Sequence, residues 1–166
     1  MKDTLIVYYS LDGNTELVAT ALAGLLDADL LRVMPIKEIK GKGFGKYFWG
    51  GRQVVMKSAP ELLPMDKNTG EYANVVVGTP VWAFSYSPPI HTLFKRGLIQ
   101  GKRTAVYCCH EGGPGSTLRK MTERLSRAGN IVVGGCEFRE PKRDPVAAQK
   151  EIEAWAKTLL EAFGKD

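Results

Sequence analysis

The residues best equipped for chemistry lie in three short stretches, and none of these is a set of acids, bases or nucleophiles. The first, Ser10-Leu11-Asp12-Gly13-Asn14-Thr15, stands between an apolar run and a helical pattern. A helix start exposes unpaired N–H groups and the positive end of its dipole, which suits a phosphate dianion. Gly13 permits close backbone approach, while Ser10, Asn14 and Thr15 carry short side-chain donors. The same residues also make an ordinary turn with Thr15 as a helix cap. On local chemistry the two readings stand level.

The second stretch, from Thr79 to Pro89, carries Pro80, Val81, Trp82, Ala83 and Phe84, with Tyr86 close behind. A flat conjugated ligand stacked on an aromatic face accounts for such a density of rings; so does a loop that buries them against its own helix. The third stretch runs Cys109-His110-Glu111-Gly112-Gly113 and continues through Pro114-Gly115. Its amides can line the polar edge of a ring system, and His110 can donate to an anionic ligand.

What positions these stretches is a recurring order of apolar runs and helical patterns. Thr4–Tyr9, Leu30–Val33, Asn74–Thr79 and Arg103–Cys109 read as strands, the second stopped by Pro35 and the third halted by Pro80. A fifth begins at Ile131-Val132-Val133, is interrupted by Gly134-Gly135, and resumes at Cys136–Phe138. Val18, Ala21, Leu22 and Leu25 mark one helix, and Leu118, Met121, Thr122 and Leu125 another. Ile152, Trp155, Ala156, Leu159, Leu160 and Phe163 trace a final amphipathic helix. This alternation predicts a parallel sheet covered on both faces. Such sheets bind ligands beyond the carboxyl ends of their strands, where each of the three stretches begins. The region from Lys37 to Asn74 is the least regular, with a second helix expected near the aromatics Phe44, Tyr47, Phe48 and Trp49.

The chain has 166 residues, 44% hydrophobic and 25% charged, the profile of one globular domain spanning 1–166. With neither a membrane-length apolar run nor a secretory signal core, a soluble cytoplasmic protein is expected, with no nucleic-acid partner. Cys108, Cys109 and Cys136 show no metal or redox spacing and read as buried thiols on core strands. The net charge of +5 is local: between Lys37 and Lys57 six basic residues face one acid, Glu38. Such a patch favours anionic partners or is simply a solvated face.

Other uses of this architecture fail on residues. Tyr8-Tyr9-Ser10 lacks the acids of a phosphoacceptor site. Pro114 and Gly115 stand where a cysteine phosphate loop after Cys108 or Cys109 needs arginine. No G-x-x-x-x-G-K-[ST] run exists, and Gly43-Phe44-Gly45 does not complete a dinucleotide fingerprint.

In this order, the three stretches resemble those of the flavodoxin family, over essentially the whole chain. Ser10-x-Asp12-Gly13-Asn14-Thr15 resembles the family's phosphate loop, and Gly78-Thr79-Pro80-Val81-Trp82 the turn that meets the isoalloxazine. Cys109-His110-Glu111-Gly112-Gly113 is similar to its third flavin-contacting turn, and Phe44–Gly51 to a subgroup of flavodoxin-like proteins. The resemblance implies an α/β, flavodoxin-like, doubly wound five-stranded parallel sheet of order 2-1-3-4-5 with helices on both faces. It implies flavin mononucleotide (FMN) as cofactor, with Ser10, Gly13, Asn14 and Thr15 on the phosphate. Pro80 to Phe84 would lie along the ring, with Trp82 the stacking partner. Two features depart from the family. Asp12 puts a carboxylate beside a phosphate, so its side chain is expected to turn away or bond loop amides, leaving its N–H to the ligand. A pI near 9.1 is unlike the acidic electron-carrier flavodoxins. The function implied is electron transfer between protein partners, acidic ones if the basic segment selects them. The alternatives are an FMN-dependent NAD(P)H:quinone-type oxidoreductase, with the Phe44–Trp49 segment walling a substrate pocket, and a regulatory domain without redox turnover.

Overall fold

Strands with apolar side chains at successive positions must be covered on both faces, and the helices supply that cover. The computed structural model describes residues 2–37 and 58–164. β1 (Thr4–Tyr8) leads through α1 (Asn14–Leu26) to β2 (Asp29–Arg32). β3 (Asn74–Trp82) folds back into a short β4 (Ser85–Tyr86) and then α2 (Pro88–Lys95). β5 (Arg103–His110), α3 (Thr117–Arg127), β6 (Ile131–Arg139) and α4 (Pro145–Phe163) follow. The parallel strands pair in the order β2-β1-β3-β5-β6, and β4 joins β3 as an antiparallel hairpin. With β4 set aside this is the expected 2-1-3-4-5 order, and its direction reverses between β1 and β3.

The pleat divides the apolar residues between two cores. Leu5, Val7, Val75, Val77 and Val106 pack with Ile90 and Leu93 of α2 and with Met121 and Leu125 of α3. Ile6, Tyr8, Val76, Ala105 and Tyr107 face the other way, onto Val18 and Leu22 of α1 and Ile152, Trp155 and Leu159 of α4. Tyr8, Gly78 and Tyr107 fall in one row across β1, β3 and β5, so the turns after these strands leave from one edge of the sheet.

Three local expectations are revised, and one helix is found that was not expected. β3 does not halt at Pro80 but continues to Trp82. Its pairing with β1 ends at Tyr8–Gly78, so beyond Gly78 it has an open side where proline is tolerated. β6 is not interrupted at Gly134-Gly135: Thr104 pairs with Val132 and Ala105 with Gly134, so the extra residue Val133 forms a bulge within a continuous strand. α2, which starts on Pro88-Pro89, carried no stripe long enough to announce it. The second helix expected between Lys37 and Asn74 is not found in the described part of that stretch. There Pro35 bridges Leu62 and a single 3₁₀ turn spans Thr69–Glu71. The Phe44–Trp49 aromatics and the basic segment beyond Lys37 lie outside the described residues. Among those described, no helix is long and apolar enough to cross a membrane.

Candidate functional site

Gly13 opens the first turn. It caps α1 with φ +94°, in the left-handed region that glycine enters without penalty. The helix therefore begins at Asn14, and Thr15 belongs to its first turn rather than to the cap. Ser10 Oγ accepts from the amides of Gly13 and Glu16, both at 3.2 Å, which folds the loop over the end of β1. Asp12 turns its carboxylate into the loop, as repulsion requires: Oδ1 accepts from Asn14 N and Nδ2, each at 3.3 Å. The Thr15 hydroxyl is buried and, among the described residues, has no nitrogen or oxygen partner; its polar neighbour is the Cys109 sulfur. Burial pushes that thiol well above its ordinary range, so Cys109 is a neutral packing group.

Two distant residues hold this loop from below. Tyr107 Oη donates to the Thr15 carbonyl at 2.9 Å, and burial keeps the phenol protonated by raising its pKa well above the usual value. Its ring occupies the space that a side chain at residue 78 would fill, since a Cβ on Gly78 would fall 2.1 Å from Tyr107 Cζ. Arg32, at the end of β2, donates to Ser10 O at 3.0 Å and pairs with Glu16 at 3.1 Å.

The second turn is the tip of the β3–β4 hairpin. Trp82 pairs with Ser85, so Ala83 and Phe84 form a two-residue turn with φ +47° and +60°. Both are left-handed, as a type I′ turn demands, yet neither is the asparagine or glycine usual there. Ser116 Oγ donates to Phe84 O at 3.1 Å, and Thr79 Oγ1 accepts from Ser87 N at 3.0 Å to close the base of the excursion. Trp82 is only 6% exposed and stands edge-on to Tyr9, ring centres 5.7 Å apart, whereas Phe84 is 69% exposed. The ring presented to solvent here is that of Phe84, not of Trp82.

In the third turn, the Gly113 amide donates to His110 Nδ1 at 3.0 Å. An acceptor nitrogen carries no proton, so in the neutral ring the proton is on Nε2. Nε2 is buried, has no hydrogen-bond partner among the described residues, and lies 3.7 Å from Glu137 Oε1. His110 therefore braces the turn through Nδ1 and directs its proton toward Glu137.

The three turns meet around one cleft of about 350 Å³. Asp12 and Asn14 line it from the first, Pro80, Val81, Trp82, Ala83 and Phe84 from the second, and Cys109 through Gly113 from the third. Ser10, Gly13 and Thr15 stand outside its lining and shape the loop at one end. Leu11 also lines the cleft, a contact the sequence did not single out. Tyr107 and Arg32 support the first loop from strands distant in sequence, and no local signal marks them.

A family model described as flavodoxin matches residues 3–158, and the chain belongs to that family. No curated protein gives a significant sequence match. Among solved structures, a flavoprotein from Lactobacillus acidophilus NCFM in complex with FMN aligns with TM-score 0.70 at 23% identity, over 86% of this chain and 96% of the other. Oxidised flavodoxin 2 from Bacillus cereus aligns with TM-score 0.66 at 17% identity, over 98% and 99%. The two-electron reduced flavodoxin of Megasphaera elsdenii aligns with TM-score 0.59 at 19% identity, over 93% and 98%.

Proposed function

We propose that this flavodoxin-family chain binds FMN in the cleft and works as an electron-transfer protein. The observation that carries the reading is the convergence of three chemically different turns on one space: a polar loop opening a helix, an aromatic hairpin, and a glycine-rich run of amides. The buried Thr15 hydroxyl, with no nitrogen or oxygen partner among the described residues, and the left-handed Gly13 ahead of it suit the phosphate end. Ser10, Gly13, Asn14 and Thr15 would hold the phosphate, with Asp12 offering its amide. Pro80 to Phe84 would flank the ring system on one side and Cys109 to Gly113 on the other. When bound, FMN supplies the redox chemistry, taking electrons from one partner and passing them to another. The chain's part is to bind, to exclude water from one side of the site, and to set which edge a partner reaches. Its partners would be redox proteins.

An NAD(P)H:quinone-type reductase on the same frame would need a pocket over the flavin, walled by the Phe44–Trp49 segment that lies outside the described residues, and no described residue favours it. Anaerobic titration of the FMN-loaded chain with NADH and with NADPH separates the two, followed by flavin absorbance. We expect neither nucleotide to bleach the flavin, while dithionite does. Rapid bleaching by either, with turnover on adding a quinone, would replace the carrier by the reductase.

A further inference from the structure

The phosphate-loop end of the cleft is poor in positive charge on its own residues. Its loop carries the Asp12 carboxylate, α1 adds Glu16 in its first turn, and the Arg32 guanidinium is already committed to Glu16 and to the Ser10 carbonyl. Ser10 Oγ accepts from two loop amides, so what it can offer a ligand is its neutral O–H. The helix-start amides and hydroxyls already suit a dianion at this end, and a cation brought from elsewhere would add a charge-assisted bond to them.

The connection between β6 and α4 brings one. Lys142 N donates to Asn14 Oδ1 at 3.0 Å, which pins this connection to the loop. Lys142 Nζ reaches the Asp12 carbonyl at 2.6 Å. The stem crosses directly over Gly13: a Cβ built there would lie 3.3 Å from Nζ and 3.5 Å from Cδ. The bare glycine thus serves two ends, a left-handed cap for α1 and room for an ammonium across the loop.

Resting on the FMN reading above, we infer that Lys142 is the cation of the phosphate subsite, offsetting Asp12 and pairing with the terminal phosphate of the bound nucleotide. The ammonium has three donors, so one can stay on the Asp12 carbonyl while another meets a phosphate oxygen. This makes Lys142 a binding residue that discriminates the phosphorylated flavin from its unphosphorylated parent.

Fluorescence titrations of wild type, Lys142→Gln and Lys142→Arg with FMN and with riboflavin, at several salt concentrations, test this. We expect Lys142→Gln to weaken FMN about tenfold while changing riboflavin less than about twofold. Lys142→Arg should retain most FMN affinity, and the salt dependence of FMN binding should flatten only in the glutamine variant. Equal losses for FMN and riboflavin would reduce Lys142 to a brace for the loop, and no loss of either would remove it; both outcomes overturn the inference alone. A wild-type chain that takes neither flavin would overturn the FMN reading and this inference together.

Discussion

His110 illustrates how one side chain's role depends on which of its atoms is already engaged. The residue type allows a donor aimed at a bound anion, but Nδ1 accepts from Gly113 N and Nε2 faces Glu137. Its contribution is then to hold the third turn closed, with Gly113 at φ +129°, where a side chain would be strained. Replacing His110 by alanine leaves the Gly113 amide without its acceptor and should cost about 1–2 kcal/mol in stability, with looser FMN binding. His110→Asn should recover most of both, because an amide oxygen can stand where Nδ1 stands. Urea midpoints and FMN titrations read the pair. An asparagine variant as impaired as the alanine one would show that the ring, not its acceptor, matters. The residue types of this turn were legible in the sequence, but the direction of the imidazole was not. That direction is set by a main-chain amide three positions on and a carboxylate from the neighbouring strand.

The hairpin between β3 and β4 shows an element held against its own backbone preference. Ala83 and Phe84 both adopt left-handed φ, costing about 1–2 kcal/mol each relative to a residue at ease there. What holds them is α3 and the turn before it, where Ser116 Oγ bonds Phe84 O and Gly115, at φ +54°, admits the turn. A Cβ on Gly115 would lie 2.6 Å from Phe84 Cβ and 3.0 Å from its Cα. Two substitutions should therefore act in opposite directions. Ala83→Asn relaxes the turn and should raise stability by up to ~1 kcal/mol with FMN affinity kept. Gly115→Ala should displace Phe84 and lower both stability and FMN affinity, by about 1–3 kcal/mol in stability. Chemical unfolding of the two variants checks the first readout and flavin titration the second; a stabilised Gly115→Ala would refute the packing argument. The sequence shows three rings in this stretch but not which one faces out. Trp82 is the last residue of β3 and is drawn into the core beside Tyr9, whereas Phe84 sits at the tip.

At the scale of the whole molecule, the two cores leave their thiols protonated. Burial raises Cys108 from 9.0 to about 12, helped by the Glu137 carboxylate, and Cys136 from 9.0 to about 11, helped by the carboxylates of Glu151 and Glu137. A folded pKa above the unfolded one means the stability contributed is fully present below pH 9 and is lost as pH rises toward 12. The urea midpoint should be flat from about pH 7 to 8.5 and then fall, less steeply in Cys108→Ala than in wild type. A slope identical in the two proteins would place the alkaline loss elsewhere. Cys108 and Cys109 are buried as expected and should be slow toward alkylation at neutral pH, whereas Cys136 is only half-buried on the edge strand β6, which corrects the reading of all three as buried thiols.

The sequence by itself determined the class of fold and the order of the three turns. Alternating apolar runs and helical stripes are local consequences of strand and helix period, and loops after successive parallel strands must fall on one edge. It also determined that the first turn is polar and contains a glycine, the second is aromatic and the third is rich in glycine. Only the tertiary structure decided who supports them. Tyr107 holds the Thr15 carbonyl from 92 positions away, and Lys142 reaches Asp12 from 130. It likewise sent Phe84 outward rather than Trp82 and aimed the His110 proton at Glu137. The physical reason is that hydrogen bonds and charge pairs act through space, over a few ångströms. Local pattern limits which residues can make them, and packing decides which do.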